Sequence, residues 1–229
     1  MLVSVVIPAL NEEQRIGMCL ASLATQKTEH QFEVIVVDNG STDGTIKAAE
    51  LFKDKLQLTV IREAKKGRGS ARCSGFRIAK GEIFLSTDAD AILPANWIED
   101  FVRAIQKGYV AATSTATIND CPPLMRAFLN FMCWFLPYTN RMLYGTVGLM
   151  GASCGVTKEA YFAAGEFDPE SDGFEDLDLA KRVRQHGKII FVRSVSPIVS
   201  GRRFSRGLLR GSAEYVRIYW NKIILKKRR

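Results

Sequence analysis

Ile83-Phe84-Leu85-Ser86-Thr87-Asp88-Ala89-Asp90 is an apolar run that stops in two carboxylates one residue apart. It reads as a buried strand with an acidic tip. Side chains alternate along an extended chain, so Asp88 and Asp90 share a face while the strand continues through them, and together they can hold one hard cation. Magnesium or manganese suits such oxygen ligands, and both usually share their shell with a substrate phosphate. The competing reading is an acidic turn opening the next helix, whose start is signalled by Pro94 and whose apolar residues recur at Trp97, Ile98, Phe101, Val102 and Ile105.

Toward the N-terminus, Leu2 to Ile7 is rich in β-branched residues and stops at Pro8, after which Ile16, Cys19, Leu20 and Leu23 recur at helical spacing. Phe32 to Val37 makes a second buried strand, followed by Asp38-Asn39-Gly40-Ser41-Thr42-Asp43-Gly44-Thr45 and a helix from about Thr45. Gln57 to Ile61 is a third strand, then a Gly67-Arg68-Gly69 loop leads into a helix through Ala71, Gly75 and Ile78. This alternation predicts an α/β fold on a mostly parallel central sheet with helices on both faces. Ligands of such sheets bind beyond the carboxyl ends of the strands, where Pro8, Asp38, Arg62 and Asp88 all fall. No GxGxxG follows the first strand and no GxxxxGK[ST] occurs, so neither a usual dinucleotide fold nor a P-loop is supported.

Asp38, at a strand's end, can accept hydrogen bonds from a base or ribose, although Asp, Asn, Ser and Gly also make tight turns and Asp43 or Thr45 suits a helix cap. Arg62, Lys66, Arg68 and Arg72 gather around two glycines, a composition suited to phosphates at the helix start near Ser70; a solvated basic loop is the alternative. After Tyr109 to Thr117 the alternation breaks down. Pro122-Pro123 opens a segment through Tyr144 carrying Phe128, Phe131, Trp134, Phe135 and Tyr138, which is expected to be ordinary core, with a site for an apolar or lipid-linked acceptor as the alternative. Gly151-Ala152-Ser153-Cys154-Gly155 reads as a strand or turn under which a ligand passes closely. Glu175, Asp176 and Asp178 open a helix toward His186, favouring its dipole, and three carboxylates exceed what capping requires.

With 229 residues and 47% hydrophobic content the chain supports one large domain with a proper core. Its net charge of +8 is uneven: from Gly201 onward ten Lys or Arg stand against Glu214 alone, and residues 1 to 200 are nearly neutral. Five cysteines without CxxC or metal-like spacing read as reduced thiols, which places the chain in the cytoplasm. Met1 leads straight into a strand with no secretory leader, and the longest apolar stretch, Ala127 to Tyr138, is broken by Asn130 and Pro137, so no transmembrane segment is expected.

Taken together, Val5-Val6-Ile7-Pro8-Ala9-Leu10-Asn11-Glu12, Val36 to Thr45, Gly69-Ser70-Ala71-Arg72, Asp88-Ala89-Asp90 and Glu175-Asp176-Leu177-Asp178-Leu179 resemble glycosyltransferase family 2. The resemblance covers about residues 3 to 203 and implies a GT-A fold, the nucleotide-diphospho-sugar transferase architecture. It implies a UDP- or GDP-linked sugar across the sheet's carboxyl edge, among Pro8, Ala9, Asn11, Glu12, Asp38, Arg62, Gly69, Arg72, Asp88, Ala89 and Asp90. Asp38 would contact the base, Asp88 the ribose or sugar region, and Asp90, with Asp88, a divalent Mn2+ or Mg2+ on the diphosphate. Asp176 would be the general base, beside Glu175. An acceptor hydroxyl is a poor nucleophile until a base takes its proton, and the diphosphate leaves only if its charge is offset. The implied activity is an inverting, metal-dependent transfer of sugar to an acceptor hydroxyl or lipid-linked acceptor.

The sequence departs from the family at Ser200-Gly201-Arg202-Arg203, where relatives often carry a histidine, so Arg202 and Arg203 are candidates to grip the diphosphate. Ser153 stands where Asn is frequent, and Gly165-Glu166-Phe167-Asp168 where Gly-Gly-Phe-Asp is. The expected division is a catalytic domain over 1–203 and a basic amphipathic helix or tail over 204–229. Aromatic and basic residues alternate in that tail, which suits peripheral contact with the inner face of a membrane better than nucleic acid. A helix packed on the domain with a solvated charged end is the alternative. A nucleotidyltransferase and a catalytically silent membrane-surface binding protein are the competing functions.

Overall fold

A computed structural model describes residues 1–171 and 173–204, and for Arg203 the backbone alone. The expected helix of the tail lies outside the described residues. In chain order the elements are β1 (Leu2–Ala9), α1 (Ile16–Ala24), β2 (Gln31–Asp38), α2 (Thr45–Glu50), β3 (Leu58–Arg62), α3 (Arg68–Ile78), β4 (Ile83–Thr87) and α4 (Trp97–Gln106). Then come β5 (Ala111–Thr113), β6 (Thr117–Ile118), α5 (Pro123–Tyr144), β7 (Ser153–Thr157), α6 (Lys158–Ala163), α7 (Glu175–Val183), β8 (Ile189–Phe191) and β9 (Ile198–Val199), with a 3-10 turn at Arg202–Phe204.

Seven strands form one sheet in the order β3-β2-β1-β4-β7-β5-β8, and β6 pairs with β9 in a small second sheet. All neighbours in the large sheet are parallel except at β7, which runs against both β4 and β5. The period of two in the strand sequences explains the layering. Val3, Val5, Ile7, Val34, Val36 and Leu85 face one side with Leu20, Leu23, Trp97 and Phe101 of α1 and α4. Val6, Ile35, Val37 and Phe84 face the other with Phe76, Tyr161 and Val183 of α3, α6 and α7. Strands buried on both faces read as continuous apolar runs, which is the pattern of the first, second and fourth strands. Phe76 packs within 4.9–5.4 Å of Phe84, Tyr161 and Phe167, so truncating it to Ala removes about 3–5 kcal/mol.

One expectation is overturned. The aromatic segment after Pro122 is not core but a single 22-residue helix, α5, in which only Leu129 and Pro137 are buried. It starts at Pro123, whose missing N–H costs nothing in a first turn, and ends at Gly145, whose left-handed backbone (φ 68°) lets its N–H reach the Arg141 carbonyl at 2.9 Å. Among the described residues no helix is long and apolar enough to cross a membrane. The five cysteines are free thiols.

Candidate active site

The parallel order β3-β2-β1-β4 brings four strand ends to one edge. In register, Ala9 stands beside Asp38 and Asp38 beside Arg62, while Asp88 follows Thr87 at the end of β4. The loops above are laced together. Asn11, in a left-handed conformation (φ 55°), accepts from Thr42 N–H at 2.9 Å, and its own N–H donates to Ser41 Oγ at 2.9 Å. Glu12 N–H donates to Thr45 Oγ1 at 2.8 Å. Asp38 is buried and both its carboxylate oxygens accept from Ser41 N–H at 3.3 and 3.4 Å, the local turn role the sequence also allowed. Asp43 accepts from Thr45 N–H at 3.0 Å at the start of α2. Pro8 and Ala9 end β1, with the Ala9 carbonyl taken by Asn39 N–H at 2.8 Å.

Asp88, Ala89 and Asp90 do not continue the strand. β4 ends at Thr87, and the acidic pair sits in a turn closed by Ala91 N–H on the Asp88 carbonyl at 3.1 Å. Side-chain alternation therefore does not set their direction; the turn and its partners do. Cys19 of α1 also donates to the Asp88 carbonyl, at 3.5 Å. Burial, with the nearby Asp90, Asp88 and Glu12 charges, pushes that thiol far above its ordinary range, so it is an inert support.

Of the four basic residues around Gly67-Arg68-Gly69, Lys66 is exposed, Arg68 is half-buried at the start of α3 and Arg72 is buried. Arg62 is exposed at the end of β3. Gly69 packs against loop backbone: a Cβ there would meet the Ser171 and Asp168 carbonyls at 2.5 and 2.6 Å. Arg72 turns inward and is buried, donating from Nε to Ser86 Oγ at 3.0 Å, from Nη2 to Asp88 Oδ1 at 2.8 Å and from Nη1 to Glu175. Gly151 makes room for it, since a Cβ there would meet Nη2 at 2.5 Å. The small residues of Gly151 to Gly155 thus admit protein side chains: Gly155 faces Leu85 and Phe101 in the same way. Ser153 is buried against Trp97 Nε1 (2.8 Å) and Ser114 Oγ (2.6 Å).

The three acidic residues that open α7 divide their work. Glu175 is buried on Arg72, and Asp178 pairs with Arg182 one turn on at 3.0 Å. Asp176 accepts from Gly151 N–H at 2.9 Å and from Leu177 N–H at 2.8 Å. Burial and then the Glu175 charge raise its carboxyl above the ordinary range, against the pull of Arg72 and the two amides. The backbone before it is tightly wound, with Gly173 at φ 101° and Phe174 at φ 55°. Glu166, at φ 60°, occupies the position where the family pattern has glycine, and its carboxylate is taken by Arg77 at 2.7 Å.

At the other side of the acidic turn stands Arg202. Its guanidinium pairs with both oxygens of Glu12, at 2.7 Å for Nη1 to Oε2, and Nη2 lies 3.6 Å from Asp90 Oδ2. Burial and the Asp88 charge push the Asp90 carboxyl up to about 6, while Arg202 pulls it down. Among the described residues no group of three or more His, Cys, Asp or Glu converges as a metal cage. Asp88 and Asp90 offer carboxylate oxygens alone. Such a set fits a magnesium-like cation that takes the rest of its shell from phosphate oxygens and water. Sequence reading missed Asn39, which ties β2 to the loop before α3 by donating to the Glu63 and Lys65 carbonyls at 3.1 and 2.7 Å and accepting from Gly67 N–H at 2.8 Å. Its adjacency to Asp38 was visible; its partners, some 25 residues on, were not.

A mostly parallel sheet with an acidic turn at its carboxyl edge makes this an α/β domain with its candidate site beyond the strand ends. The family model for glycosyl transferase family 2 matches residues 4–162, and the chain belongs to that family. A dolichol-phosphate mannosyltransferase of Pyrococcus furiosus is 35% identical over 109 residues, 47% of this chain and 31% of that protein. An undecaprenyl-phosphate 4-deoxy-4-formamido-L-arabinose transferase of Aeromonas hydrophila is 34% identical over 113 residues, 47% of this chain and 35% of the relative. The chain therefore spans about a third of the length of these relatives. Among solved structures, the mannosyltransferase PcManGT of Pyrobaculum calidifontis, in complex with GDP-Man and Mn2+, superimposes with a TM-score of 0.71 at 24% identity, over 94% of this chain and 64% of its own. S. aureus TarS 1–349 with UDP-GlcNAc gives 0.70 at 22% identity, over 88% and 59%. These two likenesses establish the GT-A fold.

Proposed function

We propose that this chain is an inverting glycosyltransferase that takes a sugar from a nucleoside diphosphate and passes it to an acceptor hydroxyl or a lipid-linked acceptor. The observation that carries the reading is the Arg72 fork. One buried guanidinium binds Asp88 at the sheet edge and Glu175 at the start of α7, so Asp176 is held beside the acidic turn.

Asp88 and Asp90 are the residues that would hold a divalent cation, and a cation there would offset the charge growing on the leaving diphosphate. Asp176 takes the proton of the acceptor hydroxyl as the oxygen attacks the anomeric carbon. The bond from that carbon to the diphosphate oxygen breaks on the opposite face, and the configuration inverts. A carboxylate raised by burial and by Glu175 is a better proton acceptor than an exposed one. Arg202 and Arg203 are assigned to the diphosphate, and Asp38 to the base. Relatives named for dolichol phosphate and undecaprenyl phosphate support a lipid-linked acceptor, and the complexes with GDP-Man plus Mn2+ and with UDP-GlcNAc support the donor class.

The test is a panel of nucleotide sugars, each with manganese, scored by thermal stabilisation and then by the products formed. Release of a nucleoside diphosphate and an inverted glycoside is expected. Pyrophosphate as product would mark a nucleotidyltransferase, and retained configuration would refute the single displacement.

A further inference from the structure

A helix that is apolar on nearly every side is normally buried, yet α5 lies against the domain along one narrow stripe. Asn130 fixes that stripe to β6, accepting from Ile118 N–H at 2.8 Å and donating to the Ile118 carbonyl at 3.0 Å. Outside it, Phe131 and Trp134 remain 54% and 53% exposed, and Leu124 and Met142 86% and 87%. Phe131 stacks on Phe135 (centroids 5.8 Å, planes at 9°) and Trp134 leans on Tyr138 (5.2 Å), a continuous aromatic ridge along the helix. A ridge of this size on a soluble surface marks an interaction site.

Charge decides the partner. The only ionised residues of α5 are Arg126 and Arg141, and no carboxylate lies along it. The neighbours that reach it are also cationic: Lys181 Nζ sits 4.0 Å over the Tyr144 ring, Arg193 donates to Tyr138 Oη at 3.4 Å, and Arg184 donates to the Tyr144 carbonyl. A second copy facing this surface would set like charge against like, whereas the phosphates of an anionic bilayer complement it. Arg126, Asn130, Pro137 and Arg141 interrupt the helix too often for a span, so the fitting arrangement is in the plane of the interface, with Trp134 and Tyr138 at headgroup level.

We propose that α5 lies in the interface of an anionic membrane, its aromatic ridge in the acyl boundary and its basic collar on lipid phosphates. This docking stands independently of the transferase reading. It would set the site at the membrane edge: Gly148 is packed between Asn140 of α5 and Leu177, next in chain to Asp176, and lies three residues before the Gly151 amide that binds Asp176.

The experiment uses the full chain with vesicles of phosphatidylcholine alone or mixed with phosphatidylglycerol. Phe131→Ser, Trp134→Ser and Phe135→Ser together should lower partitioning onto the mixed vesicles about tenfold or more, given the apolar area removed. Because that variant can lose stability, a second measurement uses the otherwise native chain carrying Trp220→Phe. There the emission of Trp134 should shift to the blue and be quenched by lipids brominated near the headgroup, over a constant background from Trp97, which is buried out of the lipid's reach. Sedimentation without quenching would assign the binding to the tail and overturn the proposal. So would a concentration-dependent dimer, abolished by the triple substitution, that forms equally without lipid.

Discussion

Arg72 Nη2 lies 2.8 Å from Asp88 Oδ1, and the same buried guanidinium reaches Glu175 with Nη1, so one side chain spans the end of β4 and the start of α7. Removing it leaves Glu175 buried without its cation. Arg72→Met should therefore destabilise the fold by roughly 3–5 kcal/mol, the range for breaking a buried pair. Arg72→Lys keeps the charge but lacks the planar fork, so it should recover only part of the loss. Urea unfolding measures both, and equal stability of Arg72→Met and the native chain would remove the fork from the account of the site.

Asp90 should control cation binding through its own ionisation. With its carboxyl pushed up to about 6, the proton is held below that pH and must leave before a cation can bind. The sign follows: apparent manganese affinity is full well above pH 6 and falls about tenfold per pH unit below it. Titration calorimetry between pH 5 and 8 reads this directly. Asp90→Ala should abolish metal-dependent donor binding and Asp88→Ala should weaken it; an unchanged affinity in Asp90→Ala with manganese still required would exclude the role.

Arg202 has two opposed effects that one substitution separates. In the free chain its guanidinium stands 3.6 Å from Asp90 and repels an entering cation. With a diphosphate present it would supply an attractive charge. Arg202→Gln should thus bind manganese alone a few-fold more tightly and the nucleotide sugar a few-fold more weakly, changes of about 1 kcal/mol in opposite directions. Both moving the same way would assign Arg202 to one of the two partners only.

For Asp176→Asn the donor should still bind while transfer falls by roughly two to four orders of magnitude, the range for a lost general base. The amide keeps one acceptor oxygen for the Gly151 N–H and gives up the bond from the Leu177 N–H, so the contact to the loop survives at the cost of one hydrogen bond. Near-normal turnover would move the role to another group on α7.

The first four strands and their order along the chain were legible because buried strands leave continuous apolar runs, and α4 because Trp97, Ile98, Phe101, Val102 and Ile105 repeat at its period, whereas the short strands β6, β8 and β9 were not. Direction of individual side chains was not legible. Arg72 lies one turn from the half-buried Arg68 at the start of α3, and composition alone could not show that it faces Ser86, Asp88 and Glu175 from within. The acidic pair was placed correctly at the strand's tip, but its turn depends on the Ala91 amide and not on strand alternation. The aromatic segment after Pro122 was read as core since apolar content demands burial; whether the cover comes from the same chain or from outside is a property of the fold and not of the segment.

The reversed strand β7 has a consequence for how such a chain can diversify. β5 and β7 pair directly, and Ser114 N–H donates to the Ser153 carbonyl at 3.1 Å, so the chain leaves the sheet and returns to it at adjacent points. The stretch from residue 119 to 147, α5 included, leaves and returns beside this joint, while β6 stays paired with β9 and Gly151 stays on Asp176. Loop length enters the folding free energy only logarithmically, so a cassette of other length or polarity can be spliced there at a cost of less than about 1 kcal/mol in closure entropy. The strand ends at Asp38, Arg62 and Asp88 stay where they are while that one contiguous segment is exchanged.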